Sequence, residues 1–550
     1  GEFTFLAGDK NWWRQAVIYQ IYPRSFADDN ADGIGDIRGI ISRIPYLKSL
    51  NIDAVWLSPH YPSALADGGY DVDDYRDVDS RLGTLADFDE MTERLHAEGI
   101  RVIIDIVPNH SGSGHKWFQE ALKAAPGSPE RNRYIFRDGK GENGEIRPSE
   151  LRSHFGPTAW TRITEPDGTP GQWYMHLFAP EQPDWNWDNP EVHEEFRKTI
   201  KFWSDRGVDG YRVDVAHALV KDLANGHLPE RESFDVSVIK PNGTDDLFDR
   251  DDVHKIYAEW REIFNQYDPP RMAVAEAWVH PDRTPMYASE KGLGQSFSFD
   301  MLGAGWRPNV VRERVELALK RAHKLGSSNT WVLSNHDVIR HATRFGLPDD
   351  TDGAKWYKAN RFNPKVDEVV GLQRANAMTA MLLALPGSTY FYQGEELGLQ
   401  EVLDIPAELM QDPQFFRNPD VGLSRDGCRV PLPWTTEESS FGFGKDGSHL
   451  PQPAWFKNVA VSVQEENPES NLNLYRKLTA TRRELQTTEE ARFVNHFFNR
   501  NIVHVVRPNG WHSVTNFDTK PVKLPAGKVL VSTLPLVDGK LPANATAWIK

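Results

Sequence analysis

Residues 85–110 read LADFDEMTERLHAEGIRVIIDIVPNH, and this stretch carries the pattern that decides the fold. Phe88, Met91 and Leu95 recur at the spacing of one helical face, and Gly99 can take the left-handed conformation that ends a helix. The segment RVIIDIV that follows is almost entirely apolar, as in a strand buried on both faces. A helix, a glycine stop and an apolar strand in succession predict one unit of a parallel sheet covered by helices.

The same helix–stop–strand unit occurs twice more. Residues 38–59 place the stop at Asn51, and residues 190–215 place it at Gly207. Five further strand candidates are AVIYQIY, MAVAEAW, SFSFD, TWVLSN and STYFYQG, which bring the total to eight. Eight parallel strands predict a closed (β/α)8 TIM barrel, an α/β fold whose active-site groups lie at the C-terminal ends of the strands. A doubly wound open sheet is the structural alternative.

The spacing of these units is uneven. After strand 3, which ends in DIVPNH, a long stretch rich in Gly, Pro and Trp exceeds any ordinary loop and predicts a small inserted domain. Two more irregular stretches cover about 221–251 and 397–453, and alternating segments at the end of the chain predict a C-terminal antiparallel β-domain. The first part of the barrel, the inserted domain B, the second part of the barrel and the β-domain are expected at residues 1–107, 108–182, 183–480 and 481–550.

The composition narrows the classes of partner. A net charge of −16 argues against nucleic acid and anionic membranes, and it suits a neutral substrate. Hydrophobic residues make up 39% of the chain, enough to build cores and to exclude disorder as its main state. No apolar run reaches the length of a membrane span. The single cysteine, Cys428, allows no internal disulfide and indicates a cytoplasmic protein; a secreted one with its signal peptide removed is the alternative.

The acidic segment DDNADGIGDIRGI begins at Asp28 and suggests a cation site. Asp28, Asn30 and Asp32 match ligand positions one, three and five of an EF-hand loop. Gly33 matches the turn glycine of that loop. The twelfth position, however, holds Gly39 instead of the bidentate Glu, and the preceding residues have the pattern of a strand. The segment therefore has the oxygen ligands of a hard-cation site without the EF-hand frame, and an acidic solvated turn is the alternative.

Charged and imidazole side chains stand where the predicted strands end: His110, Arg212, Asp214, Glu276, His336 and Asp337. Taken alone, Arg212 and Asp214 fit a structural ion pair, and His336 fits a core histidine with satisfied hydrogen bonds. An ionised carboxylate such as Glu276 inside an apolar strand is rarer. Since all six groups are expected at one mouth of the barrel, we interpret them as a functional site.

The residue types at this mouth favour one chemistry. The segment GIGDIRG does not have the G-x-G-x-x-G spacing of a phosphate-binding loop, and the chain has no H-E-x-x-H motif and no Ser–His signature. Paired carboxylates with aromatic walls are typical of glycoside cleavage, in which one carboxylate attacks the anomeric carbon while the other protonates the leaving oxygen and later activates water.

These motifs also carry a family resemblance. In order along the chain stand DGIGDIRGI, GGYDVDDY, DIVPNH, QPDWNWDNPEV, GYRVDVAHA, AEAW, SNHD and YFYQGEELG. The chain resembles the alpha-amylase superfamily of glycoside hydrolases over nearly its whole length, and within it the oligo-1,6-glucosidase and alpha-glucosidase group. The segment QPDWNW resembles the short motif that marks the oligo-1,6-glucosidase side of the superfamily.

The resemblance implies a role for each matching position. Asp214 matches the nucleophile, Glu276 the general acid/base and Asp337 the carboxylate that stabilises the transition state. The positions that match substrate-binding residues of the family are Asp67, Tyr70, His110, Phe155, Phe178, Arg212, His336 and Arg429. Among them, Arg429 matches an arginine that pairs with Asp67, and this pair would cap the non-reducing end of the sugar.

The resemblance also answers the question that the acidic segment raises. It implies a structural Ca2+ site, with Mg2+ as a second possibility, held by Asp28, Asn30, Asp32, Asp36 and the carbonyl of Ile34.

The implied activity is that of an exo-acting retaining alpha-glucosidase acting on short oligosaccharides. The residue after the nucleophile correlates with linkage in relatives, and Val215 there goes with alpha-1,6 cleavage. The neighbouring AHA departs from the usual alpha-1,6 pattern, so we favour maltose-type alpha-1,4 substrates. Isomaltose-type cleavage and a sucrose-active glucosyltransferase or isomerase are the alternatives. A non-catalytic transporter-associated homologue is a remote one, because the chain keeps all three carboxylates.

Overall fold

The computed structural model describes residues 10–349, 351–360, 362–417, 423–437 and 439–550. Its strands, in chain order, are β1 Val17–Ile21, β2 Ala54–Leu57, β3 Arg101–Ile106, β4 Phe136–Arg137, β5 Trp160–Thr164, β6 Pro170–Met175, β7 Gly210–Val213, β8 Met272–Ala275, β9 Gly294–Ser296, β10 Thr330–Val332, β11 Ser388–Tyr392, β12 Arg492–Val494, β13 Ile502–Arg507, β14 Trp511–Asn516, β15 Val529–Ser532 and β16 Ala545–Ile549.

The α-helices are α1 Ile37–Ser42, α2 Ile44–Ser49, α3 Leu85–Ala97, α4 Lys116–Lys123, α5 Pro190–Asp205, α6 Val253–Phe264, α7 Thr284–Tyr287, α8 Pro308–Leu325, α9 His341–Arg344, α10 Gly353–Asn360, α11 Glu368–Leu383, α12 Pro413–Arg417, α13 Val461–Glu465 and α14 Asn471–Leu485. Among the helices of these ranges, we find none that joins the length and the apolar character required to cross a membrane.

Eight strands form one parallel sheet in the order β10–β11–β1–β2–β3–β7–β8–β9. The two ends of this sheet meet where the backbone N–H of Ser298 donates to the carbonyl of Thr330 at 2.9 Å. This arrangement confirms the predicted (β/α)8 barrel over the doubly wound alternative. The C-terminal ends of the strands therefore open on one face, as the site prediction requires.

The stops between helices and strands lie where the sequence predicts them. Asn51, Gly99 and Gly207 all have positive φ angles, of 55°, 76° and 96°. Helix α3 begins at a capping box formed by Thr84 and Asp87, in which each side chain accepts a hydrogen bond from the other residue's backbone N–H. Each stop turns the chain directly into the next barrel strand.

Two elements differ from the prediction. One helix was expected before Asn51, but α1 and α2 are separate, because Pro45 lies in the first turn of the second and cannot continue the first. The predicted strand SFSFD is displaced toward the N-terminus, so that β9 ends at Ser296. Phe297 and Phe299 stack on each other instead, with ring centroids 5.4 Å apart.

Two smaller antiparallel sheets flank the barrel. Strands β4, β6 and β5 form a three-stranded sheet in the stretch after β3. The C-terminal sheet has the order β12–β13–β14–β16–β15, which confirms the predicted antiparallel β-domain. The residue boundaries at 107/108, 182/183 and 480/481 stay predictions.

Candidate active site

A cavity of about 500 Å³ opens at the C-terminal ends of the barrel strands. Eight of the predicted site residues line it: Asp67, Tyr70, His110, Phe155, Phe178, Asp214, Glu276 and Asp337. Three others, Arg212, His336 and Arg429, are buried next to them and contact them from behind. Nine lining residues were not among the predicted site residues: His154, Val215, His217, Phe234, Asp235, Val236, Phe248, Trp278 and Arg425.

Asp214 and Glu276 face each other because the backbone ties together the ends of β7 and β8. The N–H of Glu276 donates to the carbonyl of Val213 at 3.0 Å, and the N–H of Ala216 donates to the carbonyl of Glu276 at 2.8 Å. The two carboxyl groups thereby come close enough for one guanidinium, that of Arg212, to contact both. Such closeness is a property of a working pair rather than of two independent surface charges.

Two donors orient this carboxyl pair. Arg212 lies 2.6 Å from Asp214 Oδ1 through Nη1 and 3.3 Å from Glu276 Oε1 through Nη2. The N–H of Val215 donates to Glu276 Oε1 at 2.9 Å. To reach it, Val215 takes a φ of 46°, a left-handed conformation that is strained for a β-branched residue.

The electrostatics of the pair follow from its burial. Desolvation and the negative charge of Glu276 raise the pKa of Asp214 well above its ordinary value, and the positive charge of Arg212 opposes this rise. The Asp214 carboxyl therefore keeps a proton to a higher pH than an isolated carboxyl does. Glycoside cleavage by such a pair needs one ionised carboxylate as the nucleophile and one protonated carboxyl as the acid.

Behind Arg212 lies Asp105, a carboxylate with no exposed surface that the sequence reasoning missed. Its Oδ1 lies 3.1 Å from Arg212 Nη1, and its Oδ2 accepts hydrogen bonds from the Tyr70 hydroxyl at 2.9 Å and from Trp56 Nε1 at 3.1 Å. Asp105 stands inside the apolar strand RVIIDIV just as Glu276 stands in AVAEAW, so the same argument would have found it.

Asp337 lies under two guanidinium groups. Arg425 Nη1 and Arg429 Nη2 both lie 3.0 Å from its Oδ1, and His336 Nε2 lies 3.2 Å from Oδ2. Burial alone would raise the pKa of this carboxyl, but the positive charges of Arg425 and Arg429 outweigh burial and hold it below its usual range. The carboxylate is therefore ionised at any working pH and can accept hydrogen bonds from hydroxyl groups.

The predicted pairing of Arg429 with Asp67 is wrong. Arg425 Nη2 lies 3.0 Å from Asp67 Oδ1, whereas Arg429 contacts Asp337 and donates through Nε to the carbonyl of His336 at 2.8 Å. The reason is an anchor that the sequence does not reveal. The buried Asp412 binds Arg425 at both Nε and Nη2, at 2.9 and 2.7 Å, and holds its guanidinium across the cavity end. Arg425 precedes Arg429 by one helical turn in RDGCR, and this spacing was its only signal.

The two histidines are neutral. Burial lowers the pKa of His110 to about 4 and that of His336 well below its ordinary value. His336 Nδ1 lies 2.7 Å from Gln20 Nε2, and its ring is stacked on Tyr70 at 5.2 Å between centroids. His110 Nε2 lies 3.1 Å from the carbonyl of Tyr70. Both rings therefore act as fixed dipoles rather than as proton carriers.

Aromatic side chains form much of the cavity wall. Phe155 and Phe178 lie as predicted, with ring centroids 5.4 Å apart. His154 is stacked between Phe178 and Phe234, at 4.6 and 4.2 Å, and Phe234 comes from the irregular stretch after β7. Because a loop of that length has no periodic pattern, the sequence could not show that it returns to the cavity.

The acidic loop after β1 lies outside this cavity. Asp36 and Asp28 are buried, and their carboxylates accept hydrogen bonds from the loop itself, including those from Gly39 N–H at 2.7 Å and from Gly33 N–H at 2.8 Å. Burial raises the pKa of both, and their charges repel each other. Across the described ranges, no three acidic, histidine or cysteine side chains converge as in a metal centre. The oxygen donors are of the kind that Ca2+ prefers, but their present partners are amides.

The chain matches a known family model and is similar to several known proteins. The family model described as alpha amylase, catalytic domain, matches residues 20–491. The chain is 35% identical to the oligo-1,6-glucosidase of Parageobacillus thermoglucosidasius over 509 residues, covering 86% of this chain and 84% of the relative. It is 34% identical to the probable alpha-glucosidase of Rhizobium meliloti (strain 1021) over 498 residues, covering 87% and 84%.

A solved structure extends this likeness to the whole fold. The alpha-glucosyl transfer enzyme XgtA superposes with a TM-score of 0.81 at 31% sequence identity, covering 98% of this chain and 99% of that chain. The three relatives carry three different names within one kind of carbohydrate chemistry. Together with the barrel and the paired carboxylates, these matches show that the chain belongs to the alpha-amylase family of glycoside hydrolases.

Proposed function

We propose that this protein is an exo-acting, retaining alpha-glucosidase that releases alpha-glucose from the non-reducing end of maltose-type short alpha-1,4-glucosides. The observation that carries the proposal is that one guanidinium, that of Arg212, lies 2.6 Å from Asp214 Oδ1 and 3.3 Å from Glu276 Oε1, with both carboxyls lining the cavity. Inverting glycosidases keep their two carboxyls about 6.5–9.5 Å apart to admit a water, whereas retaining ones bring them to about 5–5.5 Å. Two carboxyls that both contact the same guanidinium favour the retaining route.

In the first step, Asp214 attacks the anomeric carbon while Glu276 gives its proton to the departing glycosidic oxygen, which leaves as an alcohol. In the second step, Glu276 takes a proton from water as the water oxygen displaces Asp214, so that both carboxyls return to their starting state. Arg212 and the N–H of Val215 hold the pair in position, and Asp337 accepts hydrogen bonds from sugar hydroxyls. A sugar hydroxyl in place of water would give transglucosylation.

The exo mode rests on the far end of the cavity. Arg425 bridges Asp67 and Asp337, and its anchor Asp412 fixes it there. A charged bridge of this kind leaves no passage for a second sugar beyond the one being cleaved, and its carboxylates and guanidinium suit the hydroxyls of a terminal glucose. A chain end can bind in such a pocket, but the middle of a polysaccharide cannot.

Linkage is the finer part of the proposal. Oligo-1,6 cleavage is the second candidate, favoured by Val215 and by the likeness to the Parageobacillus enzyme. A sucrose-active glucosyltransferase or isomerase is the third, since a glucosyl-enzyme can be intercepted by a sugar. The remote non-catalytic reading has no support from a cavity that retains Asp214, Glu276 and Asp337.

A chromatographic time course on maltose, isomaltose and sucrose tests linkage, with NMR of the first glucose released to test its anomer. We expect maltose to be the best substrate and alpha-glucose to appear first. Early beta-glucose would contradict the retaining assignment, and faster isomaltose cleavage would establish the second candidate. Asp214→Asn and Glu276→Gln should each lose nearly all turnover on maltose, with Glu313→Gln on the surface of α8 as the control.

The proposal also includes a bound metal ion, a cellular location and a partner. A Ca2+ or Mg2+ ion would be held by Asp28, Asn30, Asp32, Asp36 and the carbonyl of Ile34. The hard oxygen donors support this site, and so does the mutual repulsion of the buried carboxylates of Asp28 and Asp36. The bound ion would stabilise the loop. A cytoplasmic location is supported by Cys428, a buried free thiol. The partner is a small oligosaccharide, without nucleic acid or membrane.

A further inference from the structure

Trp278 lies two residues after Glu276, at the mouth of the cavity. Its indole Nε1 donates a hydrogen bond to Glu276 Oε2 at 3.2 Å, while Val215 N–H holds the other oxygen at 2.9 Å. Trp278 is 36% exposed and is one of the large hydrophobic residues that stay open to solvent. It also lines the cavity. One side chain thus touches the proposed acid and presents an aromatic face to the same space.

The indole ring is held rigidly. It is stacked on Phe299 with centroids 4.0 Å apart and planes inclined by only 9°. Phe299 in turn is stacked on the buried Phe297 at 5.4 Å. A ring packed on one face by a second ring, itself anchored to the core, keeps its orientation when a ligand arrives. Its free face is therefore a preformed surface rather than a mobile flap.

The position of Trp278 also fixes which part of the substrate it meets. The closed end of the cavity, at Arg425 and Asp67, takes the terminal glucose. Glu276 must stand next to the oxygen that leaves, because it protonates that oxygen. A ring in hydrogen-bonding contact with Glu276 consequently borders the leaving group, not the terminal glucose.

We propose that Trp278 serves as a positioning residue for Glu276 and as the aromatic face that selects the leaving group. This inference rests on the proposed function. The indole N–H fixes the plane of the carboxyl beside the two charged groups that also contact it, Asp214 and Arg212. The open face of the ring packs on leaving groups with a flat or apolar surface, such as the C–H face of a second glucose or an aryl ring. A methyl group or a halide offers no such surface.

Two variants separate the two roles. Trp278→Phe keeps a ring that can stack on Phe299 but removes the N–H. We expect its kcat/KM to fall about tenfold for methyl alpha-glucoside, whose leaving oxygen needs the acid, and to change less than about twofold for alpha-glucosyl fluoride, whose leaving group does not. An equal loss on both substrates would mean general damage to the site and would overturn the positioning role, as would no loss on either.

Trp278→Ala removes the ring as well. We expect KM for maltose and for 4-nitrophenyl alpha-glucoside to rise by a further factor of about five or more relative to Trp278→Phe, while KM for methyl alpha-glucoside stays within about twofold. A uniform change across the three substrates would overturn the selecting role. Phe498→Ala, an exposed aromatic on the C-terminal domain, is the matched control and should change none of these constants.

A final comparison distinguishes a failure of the Trp278 assignment from a failure of the proposed function. Glu276→Gln measured on methyl alpha-glucoside and on alpha-glucosyl fluoride should lose the first activity far more than the second. If it loses neither, the proposed acid is wrong and the proposed function fails with it. If it behaves as expected while both Trp278 variants match the wild type, only the assignment of Trp278 is overturned.

Discussion

Arg425 Nη2 lies 3.0 Å from Asp67 Oδ1, and both residues line the cavity. The two residues are 358 positions apart in sequence, and a third residue makes their contact possible. Asp412 binds the same guanidinium at two nitrogens, so that Arg425 is already oriented before a sugar arrives. The far wall of the cavity is therefore set by a loop outside the barrel strands.

Arg425→Ala should raise KM for maltose by at least about tenfold with a smaller change in kcat, because a charge-assisted contact contributes about 1.5–3 kcal/mol. Steady-state kinetics measure both constants. Arg197→Ala, on the surface of α5 with its own ion pairs, is the control for loss of an arginine. A fall in kcat at unchanged KM would show that Arg425 acts in the chemical step instead.

Asp105→Asn should lower kcat by roughly tenfold or more, because the loss of a buried charge-assisted hydrogen bond to Arg212 costs about 1.5–3 kcal/mol and frees the guanidinium that orients Asp214. Asp53→Asn is a matched control at the opposite end of the barrel, where a buried carboxylate binds the backbone of Val17. That control should lower the melting temperature and leave kcat on the folded enzyme unchanged. Equal behaviour of the two variants would reduce Asp105 to a structural role.

The acid limb of the pH profile should depend on Glu276. Its negative charge is among the causes that raise the pKa of Asp214, so Glu276→Gln should lower that pKa and move the acid limb of kcat/KM to lower pH. The substrate must be alpha-glucosyl fluoride, since it needs no proton from residue 276. Glu313→Gln should leave the limb where it is in the wild type. A limb that stays in place in Glu276→Gln would show that another group sets it.

A buried carboxyl far from the cavity should make stability fall with rising pH. Burial raises the pKa of Glu395 from its ordinary value of 4.5 to about 8, although Tyr392 N–H and the Tyr475 hydroxyl both donate to it. Between these two pH values the folded chain holds a proton that the unfolded chain has released, so the free energy of unfolding decreases across this window as pH rises.

Between pH 5 and pH 8, the melting temperature of Glu395→Gln should therefore fall less than that of the wild type. Calorimetry under matched salt measures both proteins, and this range lies within the window of about 4.5 to 8 that the raised pKa defines. Glu408→Gln, at an exposed position, should follow the wild type. Parallel curves for all three proteins would mean that Glu395 is ionised in the folded state.

Removal of a divalent ion should affect heat stability and not turnover. A cation bound only to the folded chain stabilises it by about 2.7 kcal/mol at a hundredfold excess over its dissociation constant. EDTA should lower the melting temperature, and Asp32→Ala should abolish the effect of added Ca2+. Asp29→Ala, in the same loop but outside the proposed ligand set, should still respond. Instant loss of activity without a thermal shift would assign the ion to catalysis.

The barrel was predictable because its signals are local. A helical face, a left-handed stop such as Gly99 and an apolar strand all lie within one stretch of sequence, and each repeats. The same holds for Asp214 and Glu276, since the fold places the C-terminal end of every strand at one mouth. Elements were less predictable where the same side chains can make other contacts. Phe297 and Phe299 were predicted in a strand, but they stack on each other and β9 is displaced.

The missed residues have in common that their partners are distant in sequence. Arg425 faces Asp67 only because Asp412 holds it, and Phe234 reaches His154 from a loop without periodicity. No short pattern encodes such contacts. Trp278 differs, since its place beside Glu276 follows from two positions of sequence, but an exposed tryptophan has no signature until its neighbours are known.

The left-handed backbone of Val215 has a consequence for protein engineering. We infer from the family resemblance that this position bears on linkage, so mutagenesis aimed at specificity would start here. Because φ is 46°, Gly or Asn would relax the backbone, whereas Thr or Ala would not. A library of variants at this position that is screened for heat tolerance would therefore be enriched in Gly or Asn, whatever their effect on linkage specificity. Each clone needs two assays, one for melting and one for regioselectivity, before either trait can be credited to the side chain.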